Sequence, residues 1–238
     1  GSRLGLDRDR VLKGRGAFAA LCFHLHQSGG PITASDEQQK ILYWYLHNLM
    51  WGRYSGTVET KLQQDLAAFS SGGIDAAIDE LRKWRGDLEV RASDFDWSTT
   101  GARFYPILYM LTRTNGSRNL CDGIELRNDL LGKMSQLHVH HIFPKARLYD
   151  VGTERTQVNA LANMCFLTAD CNLKISDRPP IEYMAVTAEE QPGALESQWI
   201  TTDPDLWDVD RFADFLEDRR HRLADATNAF LQSLLDGG

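Results

Sequence analysis

Apolar positions recur at helical spacing through most of the first half of the chain. GRGAFAALCFHLHQSG carries an apolar stripe and stops at Gly29-Gly30, ahead of Pro31, so the pattern predicts a first helix ending there. ASDEQQKILYWYLHNLMWG opens on Ser35 with Gln38 three positions later, a capping-box pattern that predicts the start of a second helix. VETKLQQDLAAFSSGG and GIDAAIDELRKWRG predict two more amphipathic helices, each closed by glycine. ARFYPILYMLTRTNGSRN adds an apolar segment that ends in an Asn-Gly turn. His24, His26 and His47 sit on these stripes and are expected to be satisfied scaffold residues.

The period then changes. LHVHHIF is short, partly β-branched and stopped by Pro144, and reads as a strand end. MCFLT is a second short apolar run able to pair with it, and ADCNLKIS is helix-forming before Asp177-Arg178-Pro179-Pro180 interrupts the chain. Residues 187–208 read as an acidic loop, and DVDRFADFLEDRRHRLADATNAFLQSLL as a terminal helix or helix pair. No internal repeat is visible.

Composition changes this picture little: 238 residues, 42% hydrophobic and 25% charged, suit an ordinary globular chain. No apolar run approaches the roughly 20 residues a membrane helix needs, and the start lacks the layout of a signal peptide. The initial Gly-Ser pair looks like a cloning scar, so the natural protein is expected to continue upstream. Cys22, Cys121, Cys165 and Cys171 form no CxxC pair. At four cysteines in a chain of this size no disulfide framework is expected, a reducing cytoplasm is, and Cys165 and Cys171 read as small core residues. Charge is more informative. The chain carries a net −7, yet residues 101–180 carry +3 and residues 181–238 carry −9. The one basic segment contains the histidine cluster, a weak footprint for a phosphate backbone.

Three histidines, His138, His140 and His141, fall within HVHHIF, and about thirty residues on three asparagines, Asn159, Asn163 and Asn172, punctuate an apolar stretch. Phosphodiester hydrolysis needs a base near neutral pH, a divalent cation at the phosphate oxygens, and an acceptor that fixes the tautomer of the base. Imidazoles and carboxamides supply all three.

VHHIFPKARL…LANMCFLTADCNLKIS resembles the HNH, or ββα-metal, nucleases, whose pattern runs D/E/H-H-I-x-P, then N-x-x-x-L, then Asn near the start of a helix. The resemblance implies His140 as metal ligand, His141 as general base, Asn163 as the asparagine orienting that base, and Asn172 as second metal ligand. The segment 144–158 is expected to make a lid or substrate contact, and Asn159 a turn. Lys145, Arg147, Lys174 and Arg178 are candidate DNA phosphate contacts. His138 is expected to be structural. A neutral His/Asn pair implies a divalent cation: Mn²⁺ preferred over Mg²⁺, with Co²⁺ or Ni²⁺ also suited.

Beyond the motif, WGRYSGTVETKLQQDL, FYPILYMLTRTNGSRNL, NLKISDRPPIEYM and FLEDRRHRLADATNAFL are similar to the C-terminal half of GmrSD-type restriction proteins of phage defence. That similarity implies a low-specificity nuclease acting on double-stranded DNA, tethered to an upstream ParB-like, nucleotide-hydrolysing sensor domain, with no membrane partner. The expected fold is mainly α with a small embedded ββα-metal motif, an α+β chain. It comprises a helical scaffold (1–135), the nuclease core (136–186), and an acidic linker with C-terminal helices (187–238), packed as one compact domain. Three rivals stay open: an RNA-directed nuclease, an inactive helical DNA-binding or scaffolding module, and a structural zinc site built from Cys165, Cys171, His138 and His140.

Overall fold

The computed structural model describes residues 14, 16–96, 103–127 and 136–236. It is mainly helical, with one two-stranded antiparallel sheet. The chain divides into two compact units, Arg91–Ala226 and the described parts of Arg8–Val90 with Thr227–Gly238.

The unit containing residues 16–90 holds α1 (Gly16–Gln27), α2 (Ser35–Trp51) and α3 (Val58–Arg85). Their apolar stripes bury Trp44, Leu46, Met50, Phe69, Ile78 and Leu81. The expected capping box at Ser35 is absent: Ala34 is the N-cap and makes no side-chain cap bond. Gln38 turns back instead to donate to the Ile32 carbonyl at 2.7 Å. At the far end Gly52 adopts φ 62°, a left-handed cap that returns its N–H to Asn48. The two helices expected over 58–86 are both present within α3, separated by a kink. Gly72 and Gly73 leave helical geometry there, and Gly73 has φ 64°, which a side chain would resist. Of the scaffold histidines, buried His24 is satisfied, whereas His47 is satisfied at Nδ1 only and its buried Nε2 has no hydrogen-bond partner. The His24 ring meets Glu37 at 2.9 Å and stacks on Phe69, and His47 Nδ1 accepts from the Trp51 indole at 3.1 Å. Arg53 lies fully buried in a bidentate pair with Asp65, which also accepts from the Tyr54 hydroxyl.

The other unit holds α4 (Tyr105–Thr114), β1 (His138–His141), α5 (Lys145–Asp150), α6 (Arg155–Val158), β2 (Met164–Leu167), α7 (Ala169–Ile175), α8 (Pro180–Glu190), α9 (Ala194–Ser197) and the start of α10 (Phe212–Leu235). β1 and β2 pair antiparallel with His138 opposite Leu167 and His141 opposite Met164. Tyr105 and Tyr109 of α4 edge-pack on Phe166 of β2. The core of this unit gathers Ile142, Phe143, Leu148, Leu167, Tyr183, Phe212 and Phe215. The segment 144–158, expected as a loop, contains α5 and α6. The acidic stretch 187–208 holds the end of α8 and all of α9.

Two features tie down the chain around the sheet. Arg219 of α10 is fully buried, and its guanidinium donates to the carbonyls of Ala162 and Met164 at 2.7 Å each and of Gln198 at 3.2 Å. Burial pulls its pKa down to about 10, so it remains a cation at neutral pH. Cys121 and Cys171 form a disulfide, where the cysteine count suggested none. Their fifty-residue separation hides the pairing from any local pattern. Cys165 is the buried free thiol that was expected. Among the described residues no helix is long and apolar enough to cross a membrane.

Candidate active site

Three sequence-distant pieces meet over one end of the sheet. β1 delivers His140 and His141, the segment after it turns at Pro144 into α5, and α7 follows β2 directly. Thr168 caps α7 by accepting from the Cys171 N–H at 3.4 Å, and is itself held by Asn119, whose Nδ2 donates to Thr168 Oγ1 at 3.1 Å. The disulfide pins the same helix one residue before Asn172. These anchors fix the direction in which Asn172 projects.

The result is a pocket of about 360 Å³ lined by His140, His141, Lys145, Asn172, Ser176 and Asp177, among others. His140 Nδ1 and Asn172 Oδ1 lie 3.0 Å apart across it, joining residues 32 positions distant in the chain. His140 is buried, and its pKa is lowered by desolvation, with the Asn172 contact opposing. His141 is pushed down to about 4, chiefly by burial, then by the charges of Lys145 and His140. Both rings are therefore neutral at pH 7. The Nε2 atoms of both rings are buried without a hydrogen-bond partner, as is that of the scaffold residue His47.

The Asn163 side chain makes its hydrogen bonds to backbone beside His141 rather than to the His141 ring. The residue is fully buried and addresses backbone only: Oδ1 accepts from the Phe143 N–H at 2.8 Å, and Nδ2 donates to the carbonyls of Phe143 at 3.1 Å and Val158 at 2.9 Å. With the Asn163 carbonyl accepting from Ile142 N–H at 2.9 Å and the Tyr183 hydroxyl donating to the Ile142 carbonyl at 2.8 Å, it braces the turn that leaves β1. Asn159, which follows α6, opposes the lowering of the His141 pKa, and its Nδ2 donates to the Arg155 carbonyl at 2.8 Å.

The basic residues divide. Lys145 lines the pocket. Arg147 donates from Nε to the Asp177 carbonyl at 2.8 Å and so helps hold the pocket wall. Lys174 and Arg178 lie on or just beyond α7 and do not line it. His138 is exposed on β1, away from the lining. The sequence reading passed over two lining residues, Ser176 and Asp177. Ser176 takes φ 50°, a left-handed conformation uncommon for a side-chain-bearing residue, and it turns the chain so that Asp177 reaches the rim. The interruption at Pro179-Pro180 was the available signal that a turn falls here.

Among the described residues no group of three or more His, Cys, Asp or Glu side chains could hold a metal ion. The zinc alternative loses Cys171 to the disulfide, and burial pushes the Cys165 thiol up to about 12. A two-donor open site is a different matter. Bonds of about 2.1 Å from a small cation to two donors at right angles would set those donors about 3.0 Å apart. His140 Nδ1 and Asn172 Oδ1, 3.0 Å apart, have that separation, which is equally the length of the hydrogen bond they make to each other. An imidazole nitrogen and a carboxamide oxygen are donor types that suit a small divalent cation, which would keep most of its positions for water and substrate oxygens.

No known protein family's sequence profile matches the chain. It is similar to the uncharacterized protein MJ0686 of Methanocaldococcus jannaschii, at 23% identity over 163 residues. The alignment covers 65% of this chain and 26% of that protein's length.

Proposed function

We propose that the chain is a metal-dependent endonuclease of the ββα-metal type that nicks or cuts DNA with little sequence preference. The observation that supports this reading is the convergence of His140, His141 and Asn172, from segments about thirty residues apart, on one pocket. In this reading His140 and Asn172 would hold Mn²⁺ or, more weakly, Mg²⁺, which when bound would supply charge stabilisation at the phosphate oxygens. His141 is neutral above about pH 4 and takes a proton from the attacking water through Nε2, its ring atom with no hydrogen-bond partner. Lys145 meets a substrate phosphate at the same pocket and orients the scissile group. Asn163 contributes by keeping the turn after β1 in place, not by touching substrate.

The site contributes no anionic ligand apart from Asp177 at its rim, so phosphate supplies much of the charge that holds the cation. A net −7 chain with one modest basic segment binds DNA weakly and with strong salt dependence. Tethering to an upstream ParB-like sensor half, in a cytoplasmic phage-defence protein, would supply the local DNA concentration that such a domain lacks.

The test is relaxation of supercoiled plasmid with Mn²⁺, Mg²⁺ or chelator, for the parent, His141→Ala and Asn172→Ala, with total RNA incubated in parallel. The reading expects Mn²⁺-dependent nicking that chelator abolishes and both variants lose. RNA degradation without plasmid nicking would move the substrate to RNA. Equal relaxation by parent and His141→Ala would leave a non-catalytic module.

A further inference from the structure

Asn172 reaches the pocket from α7, a helix of seven residues, too short to hold its own geometry in water. Its outer side is bare: Leu173 is 75% exposed, and Lys174 is exposed beside it. Besides the buried Ile175, the helix is held by one loop, residues 117–124. Asn119 of that loop fixes Thr168, the cap of α7, donating to its Oγ1 at 3.1 Å and accepting from its N–H at 3.3 Å. Cys121 of the same loop is bonded to Cys171, the residue before Asn172. The loop has supports of its own. Ser117 Oγ donates to the Ser197 carbonyl at 2.8 Å, and Arg118 Nη1 to the Pro192 carbonyl at 2.7 Å. Gln198 Nε2 donates to the Arg118 carbonyl at 2.9 Å, and Thr187 Oγ1 to the Leu120 carbonyl at 3.2 Å. The disulfide therefore joins a braced loop to a short helix that carries a pocket residue.

Resting on the nuclease reading above, we propose that the Cys121–Cys171 disulfide is a redox switch on this site: oxidised, it sets Asn172 against His140; reduced, it frees α7 and the site loses its second donor. Cys171 is buried and Cys121 only half-buried, so an incoming thiolate meets Cys121 Sγ first. A dithiol reductant attacks that sulfur, and Cys171 departs as a thiolate and takes a proton. The reductant's second thiol then breaks the mixed disulfide and frees Cys121. Two electrons and two protons enter the protein, and the dithiol leaves as its own disulfide. The loop keeps its bonds to Thr187, Pro192, Ser197 and Gln198, so the freedom gained falls on α7. The long cap bond from Thr168 to the Cys171 N–H, 3.4 Å, is a weak substitute for a covalent link.

Two measurements test this. Amide hydrogen exchange of the metal-free protein, untreated and after dithiothreitol, reads the switch without turnover. Reduction is expected to speed exchange over residues 169–176 roughly tenfold or more, with residues 117–126 and α8 within about twofold. In plasmid nicking with Mn²⁺ the reduced, desalted protein is expected to be roughly 10- to 100-fold slower, and oxidised glutathione to restore the rate. Cys121→Ser is expected to stay slow under either treatment. Equal exchange over 169–176 in the two forms overturns the proposal. Exchange that rises throughout the unit also overturns it, because the bond would then be merely structural. Parental nicking by the reduced protein or by Cys121→Ser, alongside an inactive His141→Ala, overturns it and leaves the nuclease reading standing. Active His141→Ala removes the nuclease reading, and the exchange data still decide whether the bond holds α7.

Discussion

Replacing Asn163 by alanine separates two roles that the sequence pattern cannot distinguish. If the side chain braces backbone, its loss strips partners from the Phe143 N–H, the Phe143 carbonyl and the Val158 carbonyl, all three of which it engages from a fully buried position. Leaving a buried polar group unpaired costs about 1–3 kcal/mol. Three such groups, partly relieved by relaxation or an entering water, give a net loss of about 3–5 kcal/mol. For a chain of this size that lowers the melting temperature by about 8–15 °C. His141→Ala is the contrasting perturbation. Its Nε2 is buried without a partner, so removing the ring is expected to change stability by no more than about 1 kcal/mol while abolishing nicking. Thermal and urea unfolding followed by circular dichroism, with plasmid nicking on the same samples, reads both quantities. Loss of activity in Asn163→Ala at parental melting temperature would refute the bracing argument and return Asn163 to the chemistry.

Further outcomes follow from other parts of the molecule. His47 is buried, with a pKa held down to about 3 by desolvation and by Arg82, and its Nδ1 already accepts the Trp51 N–H. Between pH 6.5 and 3 the unfolded chain binds a proton there that the folded chain refuses. That contribution is therefore intact above pH 6.5 and declines on acidification, by about 2 kcal/mol from pH 7 to pH 5. His47→Gln should flatten the urea midpoint across that range, and an unchanged slope would count against it. Reducing the Cys121–Cys171 disulfide, which closes a span of 50 residues, is expected to cost about 4 kcal/mol by the chain-entropy estimate. Thiol counting by mass spectrometry and melting with and without dithiothreitol check this, and four free thiols in the untreated protein would contradict the pairing. His140→Asp supplies the anionic oxygen that the donor pair lacks, so plasmid nicking should shift from Mn²⁺ preference toward Mg²⁺. Calorimetric titration with each ion gives the same comparison without turnover, and an undiminished Mn²⁺ preference would argue against His140 as ligand.

Local patterns wrote much of this protein plainly. Helical spacing marked α1, α2, α4 and α10, paired glycines marked the kink at Gly72-Gly73, and two short apolar runs marked β1 and β2. These signals survive in one dimension because an element's periodicity depends on residues a few places apart. The placement of His140 and His141 at the end of β1, and of Asn172 within the short helix α7 that follows β2, was legible for the same reason. Partner choice was not legible. Asn159 and Asn163 are four positions apart and chemically identical, yet one donates to the Arg155 carbonyl within its own turn of α6 and the other braces the turn after β1, 20 positions away. The difference lies in where α6 ends and how the chain then enters β2, and Arg219, from 57 positions beyond Ala162, helps set that path. The Cys121–Cys171 pairing and the pocket under Asp177 belong to the same category. A side chain's hydrogen-bond partner is fixed by distances of a few ångströms, and between distant segments only the folded path of the chain brings atoms that close.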